Sequence, residues 1–369
     1  MNIFNKLIIV QHQYASTTPK TQRMLAAAKQ YVENGLEVVF IVSTDDAKFD
    51  TIQGVRFVKI TENRKKLIQS FFHFQHAIKR EYDAHSVILF YEVPLYAFLF
   101  RKKKYNVFSE VTEIPFYGKK LTLSKKIIAK IRLNAIRGFS GLMVISKALK
   151  EYYQGHGITN IEVINMFVDA SRFEKLQKQL QKNNITYCGR ISYQKDGVND
   201  LITAFSLITS KHPDYELKLI GAFENAEVEI RLKQLIKELN IEDKVRFKGL
   251  IDAKELPQHL KNANVLALAR PDNIQAKYGF PTKLGEYLAT GNPVVVTKVG
   301  EIPLYLKDKE TAFLSEPNNP QNLAYVLEYV ISNPEEAKRV GREGVSLTNS
   351  SFSSKIQTEC ALKFMRDSI

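Results

Sequence analysis

The stretch from Tyr278 to Pro303, YGFPTKLGEYLATGNPVVVTKVGEIP, holds the densest set of residues able to do chemistry. Pro281 marks the start of an expected helix bearing Lys283 and Glu286. A Gly-Asn-Pro turn follows, and Val294–Thr297 reads as a β-branched strand. A helix start after a glycine-bearing loop offers unpaired N–H groups and the positive end of the helix dipole, which suits a phosphate. Lys283 adds a cation in the first turn, and the Glu286 carboxylate can accept hydrogen bonds from a diol such as ribose. Phosphate, cation and diol acceptor together point to a nucleotide, and among nucleotides to a nucleotide sugar. Tyr278, Gly279, Phe280, Pro281, Thr282 and Leu284 complete the expected binding segment.

Open α/β sheets bind ligands beyond the carboxyl ends of their strands, so residues that follow strands come next. After the strand expected at 184–188 stand Gly189, Arg190, Lys195, Asp196 and Gly197. Arg190 offers a bidentate fork and Lys195 a compact charge for phosphate oxygens; the alternative is a solvated loop with two ordinary cations. Gly221 either lets a ligand approach the backbone or starts a turn. The run Val245–Gly249, with Phe247 at its centre, lies against a nucleobase or is an ordinary buried strand.

Short apolar strands alternating with helical patterns must position these residues. Strands are expected at 184–188, 216–220, 244–248, 264–268 and 293–297, with helices near 198–210, 225–239, 254–261 and 282–290. The first half has the same rhythm, with strands at 7–11, 38–42, 86–90, 106–110 and 141–145 and helices near 19–34, 64–80 and 122–137. This is the pattern of parallel βαβ units, giving an α/β protein of two doubly wound, Rossmann-like domains. The expected boundaries are 1–174 and 175–350, with a linker at 175–184 and a terminal helix in 351–369.

Composition narrows the class. At 369 residues, 44% hydrophobic and 25% charged, the chain has the make-up of a soluble protein with more than one core. Two cysteines give neither a disulfide framework nor a metal-ligand spacing, so a reducing, cytoplasmic compartment is expected. No signal-peptide pattern opens the sequence. The longest apolar run, Val87–Phe100, has 14 residues and contains Glu92 and Pro94, too short and too interrupted to span a bilayer. Residues 1–183 hold 29 Lys and Arg against 15 Asp and Glu, whereas residues 184–369 hold 24 of each. The whole positive excess thus sits in the first half, as for a domain that faces an anionic surface.

Read in order, GR-x4-KDG, LIG, VRFKG and FPTKLGEYLATGNPVV with VGEIP resemble the donor domain of glycosyltransferase family 4, of the GT-B fold. The runs ISKALKEYY and INMFVDASRF are similar to that family's interdomain segment. The likeness covers residues 141–350, and the first 140 only by general pattern. It implies two Rossmann-like domains facing each other across a cleft, and sugar transfer from a nucleoside diphosphate sugar to a hydroxyl of a glycan or lipid-linked acceptor. It also implies retention of anomeric configuration, no cofactor and no metal; consistently, no Asp-x-Asp pair is placed for a divalent ion. Arg190 and Lys195 would hold the donor diphosphate, Glu286 the ribose, and Thr282, Lys283 and Leu284 the phosphates through helix-start amides. The sequence departs from the family at Tyr278, where relatives carry a glutamate that contacts the donor sugar; Asp272 and Lys277 stand close by in sequence.

In the first domain, the loop His12–Arg23 carries Ser, Thr and Lys in place of a glycine-rich turn, with Lys20 and Arg23 able to reach a phosphate. Glu110 and Glu113 can orient or deprotonate an acceptor hydroxyl, or cap a helix and pair with lysines. The segment 124–138 forms a cationic amphipathic helix, with Ile127, Ile128, Ile131 and Ala135 in one arc and Lys126, Lys130 and Arg137 in another. Its Ile stripe faces either the domain core or a membrane. The membrane reading, with Lys125 and Arg132 among the contacts, places the protein at the inner membrane face. The basic runs 101–104 and 64–66, with Phe71, Phe72 and Phe74, support it. Two other readings stay open: a sugar-nucleotide 2-epimerase of the same architecture, and a nucleic-acid-binding protein, for which no convincing aromatic platform is seen.

Overall fold

A computed structural model of the protein describes residues 4–12, 14, 18–44, 52–60, 67–115, 122–179 and 182–369. The chain divides into two compact units, Met1–Met166 with Ser354–Ile369, and Phe167–Ser353. The first contains β1 (Lys6–Gln11), β2 (Glu37–Ser43), β3 (Val55–Ile60), β4 (Ser86–Tyr91), β5 (Val107–Val111), β6 (Gly141–Val144) and β7 (Ile161–Val163). These strands pair in parallel in the order β3-β2-β1-β4-β5-β6-β7. Every residue of β4 is buried, the continuous apolar run of a parallel strand covered on both faces. The second unit contains β8 (Asn184–Cys188), β9 (Glu216–Ile220), β10 (Val245–Gly249), β11 (Val265–Leu268), β12 (Val294–Thr297) and β13 (Phe313–Ser315), ordered β10-β9-β8-β11-β12-β13. In both sheets the strand order reverses beside the unit's first strand, between β1 and β4 and between β8 and β11.

The α/β reading and ten strands agree with the sequence; β3, β7 and β13 were not expected. β3 reads VRFVKI, an edge strand with exposed Arg56 and Lys59 that breaks the apolar run, while β7 and β13 have only three residues each. The helices Lys147–Gly155, Pro320–Ser332 and Pro334–Gly344 also went unread. Division falls after Met166, earlier than the expected 174, because Arg172 and its neighbours bond within the second unit. The expected linker is partly pinned there too: Lys178 Nζ donates to the Ala263 carbonyl at 2.8 Å, and the Gln179 amide to Asn262 at 2.9 Å. The terminal helix, Ser354–Asp367, packs on the helix Pro19–Glu33 of the first unit, with the Phe364 ring 5.8 Å from that of Phe108. The basic run 64–66, residues 13 and 15–17 of the loop after β1, and 180–181 of the linker lie outside the described residues. No helix among the described residues is long and apolar enough to cross a membrane.

Candidate functional site

At the reversal point of the second sheet, β8 ends at Cys188 and the chain enters Gly189 and the exposed Arg190. Gly221 follows β9 in the left-handed region (φ 132°), and a Cβ there would strike the Gly189 carbonyl oxygen. A Cβ on Gly189 would in turn collide with Lys283 Nζ. The two glycines therefore let the ends of β8 and β9 close on each other and on the helix that carries Lys283.

That helix, Lys283–Ala289, is buried along its length. Tyr287 fixes it to β8: its hydroxyl accepts from the Cys188 amide at 2.6 Å and donates to the Cys188 carbonyl at 3.2 Å. Lys283 Nζ pairs with Asp196 Oδ2 and donates to the Tyr187 hydroxyl at 3.2 Å. The Tyr187 hydroxyl donates to Asp196 at 2.8 Å and lies 2.7 Å from the Arg190 carbonyl. Burial alone would push the Asp196 carboxyl up, but Lys283 and Arg270 hold it below the usual carboxylate range. Burial also pulls the Lys283 ammonium down, with Asp196 opposing. Lys283, expected as a mobile phosphate cation, thus has Asp196 as its immediate partner. Asp196 thus ties its loop to the helix.

Of the expected helix-start amides, that of Leu284 donates to the Pro281 carbonyl at 3.0 Å, inside the turn. Thr282 is half-exposed at the N-cap. Gly279 and Pro281 are buried, and Phe280 packs against Tyr305 and Phe352, with ring centroids at 5.6 and 5.5 Å. Phe280 therefore shapes the loop from behind. Tyr278 ends the short helix Ile274–Tyr278 half-exposed, with Lys277 Nζ 5.6 Å from its ring centroid. Asn273 caps that helix and donates to the Gln194 carbonyl at 2.6 Å, joining it to the loop of Arg190 and the half-exposed Lys195. Asp272 is exposed. Phe247 is half-buried and tilts against Phe223, their centroids 5.0 Å apart.

Glu286 is buried and accepts from Arg172 Nη1 at 2.7 Å, while Arg172 Nη2 donates to the Ala253 carbonyl at 3.0 Å. Nothing local in INMFVDASRF marks Arg172, because its partner lies 114 residues away.

In the first unit the expected candidates separate. Arg23 Nε donates to Glu110 at 2.7 Å, and its other nitrogens to the carbonyls of Asn165 and Ile164; the two side chains are 1% and 3% exposed. Neither is placed to meet an acceptor or a phosphate, since both are sealed into the scaffold. His12 Nε2 lies 2.6 Å from the Tyr96 hydroxyl, its ring against Phe74. Lys20 pairs with Glu92 at 2.6 Å, and Glu92 has the left-handed backbone (φ 65°) uncommon for a residue with a side chain. Glu113 instead lines a cavity of about 410 Å³ at the ends of β4 and β5, with Glu92, Lys125, Arg132, Ile136 and Tyr153. Lys125 and Arg132, expected at a membrane, thus share a wall of this cavity. The Ile arc is also divided: Ala135 is buried and Ile128 half-buried, whereas Ile127 and Ile131 are 52% and 38% exposed.

Residues 169–346 match the family described as Glycosyl transferases group 1. The matched residues lie within the second unit, which is to that extent similar to glycosyltransferases of group 1. A protein from Haemophilus influenzae, described as an uncharacterized glycosyltransferase, is 27% identical over 187 residues, which are 50% of this chain and 49% of that one. The chain spans about half the length of that curated relative and less of the next two. Among solved structures, sucrose-phosphate synthase from Thermosynechococcus elongatus superimposes with a TM-score of 0.76 at 16% identity, covering 98% of each chain. HepE from Anabaena, in complex with UDP and glucose, gives 0.76 at 15% identity, covering 98% of this chain and 99% of its own. The fold is therefore GT-B, with two parallel-sheet, Rossmann-like units. The stretch similar to that family contains Arg172, Gly189, Arg190, Asp196, Lys283 and Glu286 together.

Proposed function

We propose that the protein is a glycosyltransferase moving a sugar from a nucleoside diphosphate sugar to a hydroxyl of a glycan or lipid-linked acceptor. In this reading the anomeric configuration is retained and no metal takes part. One observation carries it: Gly189, the Lys283–Asp196 pair and Glu286 converge at the strand-order reversal of the group 1 domain, where open α/β sheets bind ligands.

Arg190 and Lys195 supply positive charge to the leaving diphosphate, where negative charge gathers as the glycosidic bond breaks. Glu286 accepts from the ribose hydroxyls, aimed by Arg172. The Phe223–Phe247 edge offers an apolar face to the base, and the Tyr278 phenol gives the donor sugar a single donor and acceptor in place of a carboxylate. The nucleotide in the HepE structure supports a donor of this class. The first unit takes the acceptor, with Glu113 as the carboxylate near its hydroxyl. Exposed Leu123, Ile127 and Ile131 beside Lys126 and Lys130 support attachment to the inner membrane face.

A panel of nucleotide sugars screened for thermal stabilisation tests the donor, since a bound donor raises apparent stability by mass action. Arg190→Ala, folded as the parent, should lower turnover by about 100- to 1,000-fold, the scale for removing a group that stabilises developing charge. Near-normal turnover defeats the assignment. Activity that survives EDTA supports the metal-free reading, and conversion of a nucleotide sugar with no acceptor present would favour epimerisation.

A further inference from the structure

Two contacts fix the short helix Ile274–Tyr278 among the loops that follow the strands of the second unit. Asn273, at its N-cap, donates to the Gln194 carbonyl in the loop of Arg190 and Lys195. The loop after β12 presses on it as well: Gly300 has left-handed backbone (φ 54°), and a Cβ there would strike the Ala276 carbonyl oxygen. The helix ends on exposed Lys277 and half-exposed Tyr278.

Charge in this neighbourhood is one-sided. Asp196 is paired with Lys283 and Glu286 with Arg172, and Glu301 is buried. Arg190 and Lys277 have no carboxylate partner among the described residues. What lies beside Lys277 is a ring, with Nζ 5.6 Å from the Tyr278 centroid. A ring face attracts an ammonium without cancelling its charge. Exposed Asp272 precedes the helix, at its other end. A nucleotide sugar carries one negative charge on each esterified phosphate, and Arg190 and Lys195 answer those two. Lys277 is then a further cation, next to the phenol that stands where relatives carry a sugar-contacting glutamate.

We infer that the donor sugar is a uronic acid, its carboxylate held by the Lys277 ammonium and the Tyr278 hydroxyl. The inference rests on the nucleotide-sugar reading above and names the class of sugar. A glutamate at position 278 would repel such a carboxylate, whereas a phenol donates to it and an ammonium pairs with it. A neutral hexose brings no opposite charge to Lys277.

The test titrates the folded full chain calorimetrically with matched donors: UDP-glucose and UDP-glucuronate, UDP-galactose and UDP-galacturonate, GDP-mannose and GDP-mannuronate. At least one uronate should bind about tenfold more tightly than its hexose, the scale of one hydrogen bond to a charged group at a half-exposed site. Lys277→Gln should bring that ratio to within about twofold of one, the level expected without the ion pair. Tyr278→Glu, which puts a carboxylate back, should turn the preference towards the hexose. Because Lys277 is exposed, its variant keeps the test decisive if Tyr278→Glu misfolds. A ratio unchanged in Lys277→Gln overturns the inference, even where both members of a pair weaken, since Lys277 would then serve the diphosphate. If hexoses and uronates bind the parent alike, the uronate assignment fails and the transferase reading stands. If no nucleotide sugar binds at all, the transferase reading itself has failed.

Discussion

Two Arg–Glu ion pairs of equal length, 2.7 Å, have opposite meanings in this molecule. Arg23–Glu110 joins a helix to β5 in the first unit with its side chains 1% and 3% exposed, and Arg23 also donates to two backbone carbonyls. Arg172–Glu286 lies beside the sheet reversal of the second unit with 20% and 9% exposure. The first pair is a tie between parts of a core. The second holds a carboxylate at the rim of the proposed donor site. Ion-pair length therefore says nothing about role, whereas residual exposure and position relative to the strand ends do.

The sealed pair should give the largest effect when broken. Removing one partner of a buried pair leaves an uncompensated charge and typically costs about 3–5 kcal/mol. Glu110→Ala should lower unfolding free energy by that amount in urea melts. If the variant remains folded, its nucleotide affinity should match the parent's. A Glu110 variant of unchanged stability but lost turnover would reverse the comparison and return Glu110 to the role of acceptor base.

The buried Lys283–Asp196 pair sharpens the contrast through pH. Asp196 has its carboxyl held below its unfolded value of about 3.9, so its contribution is fully present above that value and fades as pH falls through the folded one. Stability should decline on acidification below about pH 4, and Asp196→Asn should flatten that limb. An acid limb of unchanged slope in the variant would mean that other carboxylates govern it.

Much of the fold was readable because β-branched runs and helical periods repeat strongly; ten strands appear close to where the pattern put them. Of the site, residues that directly follow strands were legible: Gly189 and Arg190 after β8, Gly221 after β9, and the helix bearing Lys283 and Glu286. What stayed hidden depends on long-range pairing. Arg23 and Glu110 are 87 residues apart and Arg172 and Glu286 are 114, separations that no local pattern reports. The helix 123–137 shows a second limit. Its periodicity sorted apolar from basic arcs, but the turn Leu95–Leu99 that packs on it and the residues after β4 and β5 that face it across the cavity lie elsewhere in the chain. Hence Ile127 and Ile131 emerged at the surface and Lys125 and Arg132 against the cavity.

The smallest expected effect belongs to the rim pair. If Arg172 only braces the fold, Arg172→Ala should lower stability and weaken every ligand alike. If it aims Glu286 at a ribose, the loss should depend on the ribose. Hydrogen bonds to charged groups contribute about 1.5–3 kcal/mol, and imperfect aim forfeits part of that, so nucleotide affinity should fall about tenfold. The same variant should lose little against the 2′-deoxy form of whichever nucleoside diphosphate stabilises the parent, because the deoxy ligand has already lost a partner of Glu286. Arg172→Lys keeps the charge but cannot fork between Glu286 and the Ala253 carbonyl, so it should restore affinity only in part. Calorimetric titration of the two ligands against the three proteins completes the cycle. Equal losses for ribose and deoxyribose would make Arg172 a brace like Arg23, and the two pairs would then differ in exposure alone.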